Sequence, residues 1–133
     1  MRWLWIVLAA LWVGCAEQPA PSAPFVQLLL EGKTHRLESV EANYAVPAVG
    51  GMPCDWSLRA GELTLSGHGD ERGGLKSLEG KTLSILKSQW RGQDLGPGEL
   101  EVGEVDETVV SGIFRTKLAS GSFEAPVVFV AYP

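Results

Sequence analysis

From residue 25 onward, apolar residues recur at every second position over short runs, and nowhere at helical spacing over a dozen residues. A period of two places successive side chains on opposite faces of a strand, so each run reads as a half-buried strand. Phe25–Leu30 (FVQLLL) is the first. Residues 31–33 turn the chain, and residues 34–42 return as a hairpin arm. Residues 46–55 read as a loop. Trp56 and Leu58 then share one parity, and Leu63 and Leu65 follow a turn or bulge at Ala60-Gly61. Residues 68–74 read as an exposed loop and residues 75–80 as a short helical turn. In residues 81–90, Leu83, Ile85 and Lys87 are predicted to point one way, with Thr82, Ser84 and Leu86 opposite. Residues 91–98 (RGQDLGPG) form a loop with a Pro-Gly turn. Residues 99–107 (ELEVGEVDE) set Leu100 and Val102 against Glu99 and Glu101, a strand with a charged outer face. Residues 108–118 and 123–132 complete the set. Pro126 has no amide hydrogen and is expected at a strand start or bulge. Residues 127–132, apolar on both parities, are expected to form a well-buried final strand, central to its layer.

These runs amount to seven to nine short strands at roughly ten-residue spacing. The 16 glycines and 8 prolines punctuate them rather than forming a low-complexity block. The expected fold class is all-β: a small antiparallel β-sandwich or barrel spanning residues 25–133.

The first 24 residues follow other rules. After Met1-Arg2, residues 3–14 carry no charge. A membrane-spanning helix needs about 20 apolar residues, so this run has the length of a secretory hydrophobic region instead. It ends at Val13-Gly14-Cys15, which resembles the lipobox of bacterial lipoprotein signal peptides; Trp12 stands where that family prefers leucine. The resemblance implies that residues 1–14 are a signal peptide removed in processing. It implies that Cys15 receives a diacylglyceryl group on sulfur and an acyl group on its amine. Such acyl chains anchor firmly, each buried methylene contributing about 0.8 kcal/mol. Ala16, rather than Asp, after the cysteine implies the outer membrane by the same resemblance. Residues 16–24 (AEQPAPSAP) contain three prolines and read as a stiff tether holding the domain off the headgroups.

Charge and cysteine content narrow the partners. The chain carries a net charge of -5, and removal of Arg2 with the signal takes it to −6. This disfavours nucleic acid and means that the domain itself should not hug anionic lipid. Cys54 is then the only remaining thiol, and it is expected to be buried, since a free cysteine packs as a small hydrophobe.

No constellation of catalytic residues stands out. His68-Gly69-Asp70 supplies too few ligands for a closed metal site. The carboxylates from Glu99 to Glu107 have the spacing of a solvated strand face, and no nucleophile elbow or phosphate loop is present. No metal site and no cofactor is expected. The aromatic residues are better candidates: Trp56 follows a Gly-Gly loop, and Trp90 ends a strand beside Arg91. Core packing is the default for both indoles, while an aromatic at a strand end beside arginine also suits a binding hot spot. Trp56, Trp90 and Arg91 are therefore the candidate partner-binding residues. The expected function is that of a lipid-anchored bacterial envelope protein whose β-domain is a non-enzymatic binding or structural module, the partner being a protein or envelope polymer. The alternative is a barrel carrying a small apolar molecule. A packed core favours the first, and a lined cavity of several hundred Å³ the second.

Overall fold

The computed structural model describes residues 24–131; the signal-like segment, Cys15, most of the tether, Tyr132 and Pro133 lie outside the described residues. Ten strands and one short 3-10 turn follow one another. They are β1 (Phe25–Leu30), β2 (Lys33–Leu37), β3 (Val40–Val46), β4 (Cys54–Ala60), β5 (Leu63–Gly69), the 3-10 turn (Leu75–Leu78), β6 (Thr82–Trp90), β7 (Gln93–Asp94), β8 (Gly98–Asp106), β9 (Val109–Thr116) and β10 (Ala119–Ala131). The all-β class holds, and the architecture is a barrel. Strands β3, β4, β5, β6, β8, β9 and β10 form one closed wall. The expected arm over residues 34–42 is divided at Glu38–Ser39 into β2 and β3. The expected loop over residues 46–55 is shorter, because Val46 and Cys54 already belong to strands.

Closure has a parity condition. Seven strands that alternate in direction leave the first and last running the same way. The seam between β3 and β10 is accordingly parallel, with Val127 to Ala131 beside Ala42 to Val46; the other wall pairings are antiparallel. β10 reaches this seam only because it is long. On one edge it pairs with β1 as far as Glu124 and takes β3 from Val127 onward. Pro126, which has no N–H to give, falls in the gap between the two partners.

The inward parity fills the barrel. Val26, Leu28, Tyr44, Leu58, Leu65, Ile85, Phe114 and Phe123 are buried, in one continuous core. Each fully buried aliphatic side chain contributes about 1.5–3 kcal/mol. The ends are closed by separate devices. At the lower end, Leu95 is completely buried and its backbone is tied to Ser88 and Leu118. The β1–β2 hairpin adds Leu30 and Leu37 to the same apolar cluster. At the upper end, Leu78 of the 3-10 turn enters the core. That turn is pinned to β8: the Glu79 carboxylate accepts the Val105 N–H, and Lys76 Nζ donates to the Val105 carbonyl at 2.7 Å.

Two β-bulges reset the parity of the wall. Opposite Ser66 and Gly67, β6 jumps from Lys87 to Ile85, leaving Leu86 as the extra residue. Leu83 and Ile85 point inward as expected, but Lys87 does not; beyond the bulge the inward positions are Ser88 and Trp90. A second bulge leaves Gly103 unpaired opposite Ser111-Gly112, so that Val102 and Val105 both point inward. Each bulge draws a carbonyl onto a glycine. A Cβ on Gly67 would overlap the Ser84 carbonyl, and one on Gly112 the Glu101 carbonyl.

The final strand is a correction to expectation. Val127 and Phe129 are half-buried and Val128 is 63% exposed, because β9 stops at Val109, opposite Pro126. The strand closes the barrel, yet its last stretch has a neighbour on one edge only.

Gly67→Ala is expected to destabilise the barrel by about 1–3 kcal/mol, since the inserted methyl meets backbone that cannot swing away. Gly50→Ala, where nothing lies within 4 Å, should leave stability unchanged. Denaturant melts of the two variants test the pair.

The hydrogen bond from the Val105 backbone, then that from Lys76, holds the Glu79 carboxyl below the usual value of 4.5. A depressed folded-state pKa stabilises the protein above the unfolded value, and that stability is lost as pH falls through the folded pKa. The melting-temperature advantage of the wild type over Glu79→Gln should therefore be full above pH 4.5 and shrink below it.

Candidate functional site

Of the three candidate partner-binding residues, the structure keeps Trp90 and Arg91 together and sets Trp56 apart. Trp56 and Trp90 pair with Gly67 and Leu63 at opposite ends of β5, about 13 Å apart along a strand rising ~3.3 Å per residue. Both indoles are buried. Trp56 therefore presents no face to a partner; it is a pin behind the wall. Its Nε1–H donates to the carbonyls of His68 and Ser84, each at 3.2 Å, on either side of the gap that the bulge opens. Trp90 is covered by its neighbours. The Arg91 guanidinium lies over its ring at 4.5 Å, and the His35 ring packs against it at 5.1 Å. Arg91 itself is exposed and faces Glu62. It is the member of the trio that a partner can reach. Cys15 lies outside the described residues.

The interior leaves little room. The cavity bounded by Tyr44, Trp56, Leu83, Leu100 and Phe123 measures about 40 Å³, against about 300–1,000 Å³ for a small-molecule site.

The outer wall has more to offer. Across β3, β4, β5 and β6 runs a row of paired residues, Asn43, Ser57, Ser66 and Lys87. Its short side chains leave an open groove of about 420 Å³. Ion pairs occupy the next outward rows along the strands. His68 Nε2 meets Asp55 Oδ1 at 3.2 Å toward the upper end, and Arg59 meets Glu41 at 2.8 Å toward the lower end. Leu86, the bulged residue, and Lys87 flank one side. The parity shift that carries Lys87 outward and leaves the apolar Leu86 exposed therefore shapes the groove itself.

A groove with hydroxyl and amide groups on its floor, charges beside it and an apolar flank suits an extended ligand with both polar and apolar groups. Its hydrogen bonds are not those of an activated nucleophile. Ser57 Oγ donates to Asn43 Oδ1 at 3.1 Å, and His68 meets the Asp55 carboxylate through Nε2. Among the described residues no serine hydroxyl donates to the imidazole, and no group of three metal-ligating side chains gathers. Sequence reasoning missed this groove. The one available signal was Gly67 within an alternating strand, a residue type that marks a bulge or a close backbone approach.

The upper cap holds a second polar cluster. Tyr44 Oη donates to the Glu71 carbonyl at 2.7 Å, and the buried Cys54 Sγ donates to the same oxygen at 3.5 Å. Burial, reinforced by the neighbouring Cys54, pushes the Tyr44 hydroxyl well above the ordinary tyrosine range, so it stays a neutral donor. Arg72 donates to the Pro47 and Met52 carbonyls, and Lys81 faces the Glu71 carboxylate. Together these tie residues 70–74 and the loop over residues 47–53 across the barrel mouth.

No known protein family matches the chain, and no curated protein or solved structure does either.

Tyr44→Phe should cost about 1 kcal/mol and raise amide exchange in residues 70–74, with the rest of the barrel unchanged. Hydrogen–deuterium exchange read by peptide shows whether the hydroxyl is the latch of that cap.

Proposed function

We propose that this chain is a lipid-anchored protein of the bacterial envelope, held in the outer membrane by acyl chains on Cys15. Its barrel is a non-enzymatic module that binds a protein or envelope polymer on its outer wall. The observation that carries the binding mode is the filled interior. A cavity of about 40 Å³ has no volume for a carried lipid or similar apolar molecule, which argues against the carrier alternative, whereas the Asn43–Ser57–Ser66 groove is open and offers polar groups beside apolar surface. The hydrogen bonds of Ser57 and His68 support recognition over hydrolysis. The anchor rests on Val13-Gly14-Cys15 and the charge-free run before it. The acidic balance of the chain fits attachment through acyl chains rather than through a basic surface.

Metabolic labelling with a fatty-acid probe tests the anchor: the wild type should label and Cys15→Ser should not. For the wall, Ser57→Lys combined with Ser66→Lys fills the groove. Affinity capture from solubilised envelopes should lose a specific component in that variant, while an interior substitution of equal stability cost should retain it. Equal labelling of wild type and Cys15→Ser ends the lipoprotein reading; equal capture by the groove variant ends the groove reading.

A further inference from the structure

Among the described residues the sheet has two edges of any length, and they are treated differently. β2 is one, and it carries Lys33 and Arg36, charges of the kind that blunt an edge against pairing. The other is the last stretch of β10. From Ala125 to Ala131 the sequence APVVFVA bears no charge. The N–H and C=O of one strand residue point to the same side, and the sides alternate along the strand. Val127 N–H bonds the Thr108 carbonyl, on the β9 side. The N–H and C=O of Phe129 and Ala131 face the same way, past the end of β9, while Val128 and Val130 turn their backbone groups to β3 across the seam. Among the described residues nothing bonds the Phe129 and Ala131 groups. Val128, the side chain just before Phe129, is 63% exposed, and Val130, between Phe129 and Ala131, is half-buried.

We propose that this edge pairs with the same edge of a second copy of the chain, joining two barrels through an antiparallel seam. The donors and acceptors are self-complementary. With a two-fold axis at Val130, the N–H and C=O of Phe129 meet the C=O and N–H of Ala131 in the second copy, and the reverse pair follows by symmetry. The pairing is confined to residues 129–131 of each copy, so Thr108 keeps its bond to Val127. An uncharged strand also suits its own copy: Val128 and Val130 meet no charge across the seam that they would have to desolvate. The interface is small, so the dimer is a weak one that mass action governs. Each copy carries a net charge of -5, and the two barrels repel. Salt screens that repulsion, so association tightens as ionic strength rises, opposite to an interface held by ion pairs.

Sedimentation velocity of the full chain in a mild non-ionic detergent, over a concentration series into the millimolar range, tests the seam whether or not Cys15 is acylated. The wild type should pass from monomer to dimer, with a midpoint that falls on adding salt. Val128→Lys places a charge in the seam, and Ala131→Pro removes a free-edge donor that no intramolecular bond uses. Each should weaken the dimer by at least roughly tenfold, with circular dichroism melts confirming that both variants fold. A wild type that stays monomeric throughout the series overturns the proposal. So does a dimer that both folded variants form as readily as the wild type, or one that salt weakens.

Discussion

The parallel seam between β3 and β10 is the contact on which the barrel depends. Six of the seven wall pairings join strands that alternate in direction, and an odd circle of such strands closes only if one pair runs parallel. That pair joins the two ends of the wall, Val40–Val46 and the end of a thirteen-residue strand. It is therefore the contact with the greatest loop-closure cost. Tyr44 and Phe129 stack across it, ring centroids 5.7 Å apart, so the seam is held by side chains as well as by backbone. Pro126 helps to define it, because a residue without an N–H fits where one partner ends and the next begins.

The bulges set what the wall shows to solvent. A strand pairing without interruption would keep one parity inward from Thr82 to Trp90 and would turn Lys87 toward the core beside Ile85. The extra residue at Leu86 brings Lys87 out and takes Ser88 in, where its hydroxyl bonds the Gly96 carbonyl at 2.5 Å. The same irregularity opens the carbonyls that Trp56 reaches from inside. One local feature thus joins the interior pin to the exterior groove: the backbone geometry that seats the indole also determines the floor of the outer site.

A barrel filled by its own side chains and stopped at both ends leaves only its surface open to other molecules. Leu78 above and Leu95 below close the mouths, and the cap over Tyr44 and Cys54 is tied down by Arg72 and Lys81. The groove over the serine row sets Asp55, His68 and Lys87 beside the exposed apolar Leu86. Its hydroxyl and amide groups offer hydrogen bonds, and its flank offers apolar surface, so it presents both kinds of contact.

The sequence by itself determined the all-β class, most turns, the charged outer face of β8 and the burial of Cys54, because period-two alternation and turn chemistry are local. It also carried the signal-like start and its cysteine, which are readable as linear patterns. It did not determine closure. Whether a set of such strands makes a sandwich or a barrel depends on which distant strands meet, and the β3–β10 seam joins residues more than eighty positions apart. Nor did it determine the parity of Lys87 and Ser88, since a bulge is a property of two strands in register and only Gly67 hints at it. The covered appearance of residues 127–131 misled for the same reason: apolar on both parities means coverable on both faces, and only the tertiary structure decided that β9 ends before it covers them. For Trp56 and Trp90 core packing was the default reading in the chain, with a binding hot spot as the other. The barrel placed both inside, because each lies on the inward parity of its strand, and the short polar residues on the opposite parity line the candidate groove.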